Sequence, residues 1–120
     1  MNADRLHEYL DQMRSAAIQA GKFLEGMDRE AFLADLRTQM AVSMTLVLIG
    51  EAASRIMTLH PEFPVEHPEI PWAKMRGMRN FVAHDYYNVE LPIVWDTVKT
   101  AIPDLVSQLD SLRHWRAQGE

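Results

Sequence analysis

Apolar residues recur three and four positions apart over long stretches of the chain, a spacing that predicts helices rather than strands. The first stretch, residues 4–24, carries Leu6, Tyr9, Leu10, Met13, Ala17, Ala20 and Leu24 on one stripe before Gly26 interrupts it. Asp28 has a side chain suited to capping a second helix over residues 29–59, which carries Phe32, Leu36, Met40, Met44, Leu48 and Ala52. Its middle, residues 41–49, is apolar on nearly every side, so this helix is expected to be the one the others pack around.

Pro61, Pro64 and Pro68 push the residues before them out of the helical region and predict a loop over residues 60–70. Pro71 can sit in the first turn of a third helix, where its missing donor costs nothing. Trp72, Met75, Met78 or Arg79, Val82 and Tyr86 carry that helix to about residue 86. Asn88 and Leu91-Pro92 mark a turn and a fresh start. A last helix over residues 92–116 turns Val94, Trp95, Val98, Ile102, Leu105, Val106, Leu109 and Leu112 inward, and Pro103 inside it predicts a kink near Thr100. The expected fold is all-α, an up-down bundle of four to five helices in a single domain over residues 1–120.

Composition narrows the setting. A chain of 120 residues has room for one modest core, so a partner subunit is a natural way to bury the rest of its apolar surface. Hydrophobic residues make up 48% of the chain, but the most apolar run, 41–49, is short and holds Ser43 and Thr45, so no membrane span is expected. The start Met1-Asn2-Ala3-Asp4 lacks the basic and apolar regions of a secretory leader. There is no cysteine, which removes disulfide and thiol chemistry and makes a cytoplasmic location the expectation. The net charge of −5 argues against broad electrostatic binding of nucleic acid, yet leaves open a local basic site around Arg76 and Arg79.

The candidate chemistry is concentrated there. Arg76, Asn80 and His84 are four positions apart and fall along one line of a helix. Arg79 is five positions from His84, about 140° around, within reach of a long guanidinium. Two guanidiniums, an amide and an imidazole can converge on one small anion, and a phosphodiester fits that set. Histidine can move a proton near neutral pH, and arginine offers a planar fork of donors where negative charge develops. Ribonucleic acid supplies its own nucleophile, the 2′-hydroxyl, so no metal-activated water is needed. Cleavage would leave a cyclic phosphate and a free 5′-hydroxyl.

Plainer roles for the same residues stay open. His84 could be a capping or surface residue, Arg76 and Arg79 could be solvated or paired with Glu51 and Asp85, and Trp72, Met75, Met78 and Val82 fit a core. Trp95 and Trp115 read as packing residues. Gly77 and Gly50 are costly inside helices, by up to about 1 kcal/mol each, and predict tight helix contacts within the chain or between two chains. Glu51 falls in apolar surroundings and is expected to pair with an arginine, Arg79 first and Arg55 as the alternative. His60 and His67 flank Glu62 and Glu66 without metal-ligand spacing, so neither a metal nor another cofactor is expected.

The run Arg79-Asn80-Phe81-Val82-Ala83-His84-Asp85-Tyr86 resembles the signature of the HepT-like toxins of the HEPN superfamily: arginine, four residues, histidine, any residue, tyrosine. Ile70-Pro71-Trp72, Gly77-Met78-Arg79-Asn80, Val94-Trp95-Asp96 and Ile49-Gly50-Glu51-Ala52 extend the likeness over residues 41–109. The resemblance implies a helical homodimer whose active segments face a shared cleft. It implies a metal-independent endoribonuclease, the toxin of a toxin-antitoxin pair, whose partner is a minimal nucleotidyltransferase antitoxin. In that family the antitoxin adenylylates the signature tyrosine, here Tyr86. An adenylyl group there would set phosphate charge and bulk beside Arg79 and His84; Tyr87 is a second candidate acceptor. On the resemblance, Arg79 and His84 are the catalytic pair, Arg76 and Asn80 bind or orient RNA, and Gly50, Glu51, Gly77 and Trp72 are structural or dimer residues. The rival expectation is a non-catalytic dimerisation or partner-binding module.

Overall fold

The computed structural model describes the backbone of residues 2–119 and the side chains of residues 5–112. Among these residues there are helices and turns and no strand. Helix α1 (Asn2–Phe23) buries Tyr9, Leu10, Met13, Ala17 and Ala20 of the stripe expected from the spacing, together with Ala16, while Leu6 is partly buried. The chain then turns through Gly26, whose φ of 76° lies in the left-handed region that a side chain disfavours.

The expected helix over residues 29–59 is two helices, α2 (Arg29–Leu33) and α3 (Leu36–Leu59). Asp28 caps the first, accepting from the Ala31 amide at 2.8 Å. Asp35 caps the second, accepting from the Thr38 amide at 3.4 Å and from its hydroxyl at 2.9 Å. A carboxylate that satisfies free amides of a new first turn competes with continuation of the old helix, and here the cap prevails. The break lets Phe32 point fully into the core against Trp95, with ring centroids 5.7 Å apart. Buried Gln39 donates to the Phe32 carbonyl at 3.0 Å, satisfying the end of α2.

Helix α3 packs between α1 and α5 (Trp72–His84). By length and composition it could cross a membrane: within its 24 residues lies an 18-residue window with a mean hydropathy of 1.4, a stretch more apolar than the sequence reading allowed. Half of that window is buried inside the bundle, as in the core helix of a globular domain. Its other face is not covered. Leu36, Met40, Met44 and Leu48, four residues apart, form a ridge with half or more of each side chain exposed, so α3 is packed around on fewer sides than expected.

The expected loop over residues 60–70 contains a short helix, α4 (Glu62–Glu66). Pro64 is tolerated because it falls in the first turn, where amides lack intrahelical partners. Phe63 meets Trp72 edge-on at 6.0 Å and His67 at 4.4 Å, and the Trp72 indole donates to the His67 carbonyl at 2.9 Å. Pro71 precedes α5 rather than entering it, and α5 ends at His84, two residues before the expected end. The last segment runs through α6 (Leu91–Asp96), a π-helical stretch (Thr97–Ala101) and α7 (Ile102–Gly119). The wide turn falls where Pro103, lacking a donor and crowding the carbonyl four residues back, predicted a kink. Val94, Trp95, Val98, Ile102, Leu105 and Leu109 all reach the core across it. The Trp115 side chain lies outside the described residues.

Candidate functional site

The site is assembled where α3 and α5 cross closest. Gly50 on α3 makes this possible: a Cβ there would collide with Arg79 Cβ and lie 2.5 Å from the Met75 carbonyl oxygen. Further along, Ser43, Met44 and Val47 of α3 share a groove with Val82, Ala83 and Tyr86, so the two helices run antiparallel. The tight contact expected of Gly50 is therefore within the chain. Gly77 has nothing within 4 Å of its missing Cβ and makes no such contact in this chain. It borders a largely apolar groove of about 400 Å³ between α5 and α6, with Met78, Phe81, Val89 and Ile93.

The Arg79 stem lies over Gly50, and its head is held from two sides. Nη2 meets Glu51 Oε1 at 3.0 Å, and Nη1 donates to Asn80 Oδ1 at 2.9 Å. Its Nε is buried without a partner. Both arginines expected for Glu51 are present, since Arg55 Nη2 lies 3.6 Å from Oε2. The Arg79 contact is the shorter and the less exposed. Asn80, expected to bind or orient substrate, is engaged in this chain with the neighbouring guanidinium. Arg76 is exposed on the same helix.

His84 is the last residue of α5 and is exposed. Among the described residues its imidazole has no hydrogen-bond or ion-pair partner. The five-residue separation from Arg79 puts the two about 7.5 Å apart along the axis. Asp85 terminates the helix, donating its amide to the Phe81 carbonyl at 2.8 Å and accepting from the Asn88 side chain at 2.8 Å. It is not the partner of Arg76 or Arg79 that the plainer reading allowed.

That termination places Tyr86 in a 3-10 turn (Tyr86–Asn88) rather than on α5. Its half-buried ring closes the groove of about 290 Å³ formed with Met40, Ser43, Met44, Val47, Val82 and Ala83. Tyr87, 96% exposed, meets Tyr86 edge-on at 6.0 Å. Sequence reasoning passed over Ser43, whose hydroxyl is buried in this groove wall with no partner. A serine inside an apolar run was the available signal. Among the described residues no three His, Asp or Glu side chains gather as metal ligands would.

Residues 6–112 match the model of a protein family described as Ribonuclease HepT-like. The chain is 38% identical over 106 residues to a protein of Thermococcus cleftensis named "Probable ribonuclease HepT", covering 88% of this chain and 94% of that one. It is 29% identical to a Methanocaldococcus jannaschii protein named "Putative RNase MJ0127", over 89% of this chain and 83% of the relative. A Caldanaerobacter subterraneus protein named "Putative RNase TTE0752" is 33% identical over 74% of this chain and 77% of its own length. No solved structure matches the chain.

Proposed function

Because the chain belongs to the HepT-like ribonuclease family, we propose that it is a metal-independent endoribonuclease of the cytoplasm and the toxin of a toxin-antitoxin pair. The observation that carries the reading is the guanidinium of Arg79, held in place one and a half turns before an exposed His84 on the same helix. The 2′-oxygen of a ribose attacks the adjacent phosphorus as its proton departs. The bond from phosphorus to the 5′-oxygen breaks, and that oxygen takes up a proton. The products are a 2′,3′-cyclic phosphate and a 5′-hydroxyl. His84 moves one of these protons and water the other, while Arg79 meets the charge that gathers on the phosphoryl oxygens. Arg76 adds attraction for the strand.

The working form is a homodimer. The uncovered ridge Leu36, Met40, Met44 and Leu48 supports this, being adjacent to the Tyr86 groove and so to the end of α5. A second copy seated there brings the two active segments to one cleft. The nucleotidyltransferase antitoxin transfers adenylyl groups from ATP to Tyr86. Half-buried in its ring at the mouth of this groove, Tyr86 would carry the added phosphate next to the residues that bind RNA phosphate.

The purified, unmodified protein should cut single-stranded RNA in the presence of EDTA, and His84→Ala and Arg79→Ala should fold yet lose about 100-fold or more of the rate. Equal cleavage by His84→Ala removes the mechanism. One observation favours a second reading, a non-catalytic module: Arg79 already engages Glu51 and Asn80 within the chain. That reading predicts a parent that cuts nothing and variants that fail to assemble.

A further inference from the structure

We infer that Glu51 is a positioning residue for Arg79, presenting its guanidinium end-on to phosphate. The inference rests on the nuclease reading and adds a residue on a different helix from the signature. A guanidinium carries five N–H donors in a rigid fork. In this chain Nη2 forms an ion pair with Glu51 Oε1 at 3.0 Å, and Nη1 spends one donor on Asn80 Oδ1. Nε is buried and faces no acceptor. What remains for a ligand is at least one N–H on each terminal nitrogen, a pair that can grip two oxygens of one phosphate side by side.

Three features of the α3–α5 contact fix that presentation. The missing side chain of Gly50 lets the Arg79 stem lie against α3. Glu51, the next residue, then stands at the level of the guanidinium and takes it from one side. Asn80 takes it from the other. A long side chain that would otherwise sample many rotamers is thereby held before substrate arrives, which is how a donor comes to favour the transition state over bound substrate. The same carboxylate also offsets the charge that attracts substrate. Glu51 therefore gives up ground-state affinity for orientation, and its removal should move kcat and KM in a way that simple loss of folding does not.

The test measures steady-state cleavage of single-stranded RNA by the parent, Glu51→Ala, Glu51→Gln and His84→Ala proteins. Glu51→Ala is expected to lower kcat about 10- to 100-fold, the scale of a displaced catalytic donor. It should lower KM several-fold as well, because the positive charge is unmasked. Glu51→Gln keeps an oxygen acceptor without the charge, so it should restore most of kcat and retain the lower KM. A destabilised protein would show a smaller active fraction with KM unchanged. If the parent cuts RNA, His84→Ala does not, and either the Glu51→Ala kcat or its KM matches the parent, the positioning role is overturned while the nuclease reading stands. A parent that cuts nothing overturns both.

Discussion

Gly50 and Arg79 face each other so closely that the space a methyl group would need at position 50 is already occupied by the Arg79 stem. The contact is backbone against side-chain root rather than side-chain tip, so it has little freedom to yield. Gly50→Ala should cost about 1–3 kcal/mol, the usual range for overpacking, by separating α3 from α5. It should also lower cleavage in protein that remains folded, because Arg79 is moved. Urea unfolding and a rate per folded molecule check the two parts, and an unaltered midpoint would mean the helices sit further apart than described.

Gly77 predicts the opposite sign. Nothing lies within 4 Å of its absent Cβ, and it is exposed in the middle of α5. Gly77→Ala should therefore stabilise the monomer fold by about 0.5–1 kcal/mol through helix propensity alone. Thermal unfolding compared with parent decides it. Destabilisation, or a loss of dimer mass on light scattering, would show that another chain approaches there.

The α3 ridge gives a test of assembly separate from chemistry. Met44 is 57% exposed and stands midway along the row from Met40 to Leu48. Met44→Glu places a charge in the proposed contact and should weaken dimerisation by about 2 kcal/mol, roughly thirtyfold, with helix content unchanged. Sedimentation across a dilution series measures it. A variant with parental association would put the subunit contact on another face.

Asp35 supplies a dependence on acidity. The hydrogen bond from the Thr38 side chain, with a further one from its amide, holds the Asp35 carboxyl below its ordinary value of 3.8. A depressed folded value means that ionised Asp35 contributes stability above the unfolded value, and that the contribution is lost as pH falls through the folded one. Asp35→Ala should thus unfold at lower temperature than parent at neutral pH. The gap should close in acid below the ordinary carboxyl range. A gap that stays constant down to that range would mean the cap does not act through its charge.

Much of the fold was legible in the spacing of apolar residues, because helices that share one core must repeat their buried face. The stripes of α1 and α7 and the disturbance ahead of Pro103 were all readable. The break at Asp35 was not, because Phe32 and Leu36 continue the helical spacing across it and only the local competition of one carboxylate decides the matter. The end of α5 was missed by two residues for a similar reason. Asp85 and Asn88 bond to each other and wind Tyr86 into a 3-10 turn, while the ring still falls near helical register. Within the site, the pairing of Glu51 with Arg79 was reached by expecting a charge in apolar surroundings beside a helical glycine, although the Glu51 side chain is 38% exposed. The role of Asn80 as a brace for the guanidinium depends on rotamers that sequence does not record, and the exposed ridge of α3 looked like core because its composition matches core.

The ion pair between Arg14 on α1 and Asp110 on α7 joins residues 96 positions apart, and the apolar faces of those helices close together beside it. At synthesis rates of about 5–20 residues per second, α1 can meet α3 early but waits on the order of ten seconds for the part of its face that α7 covers. Competence to cut would then be withheld until α7 has been made.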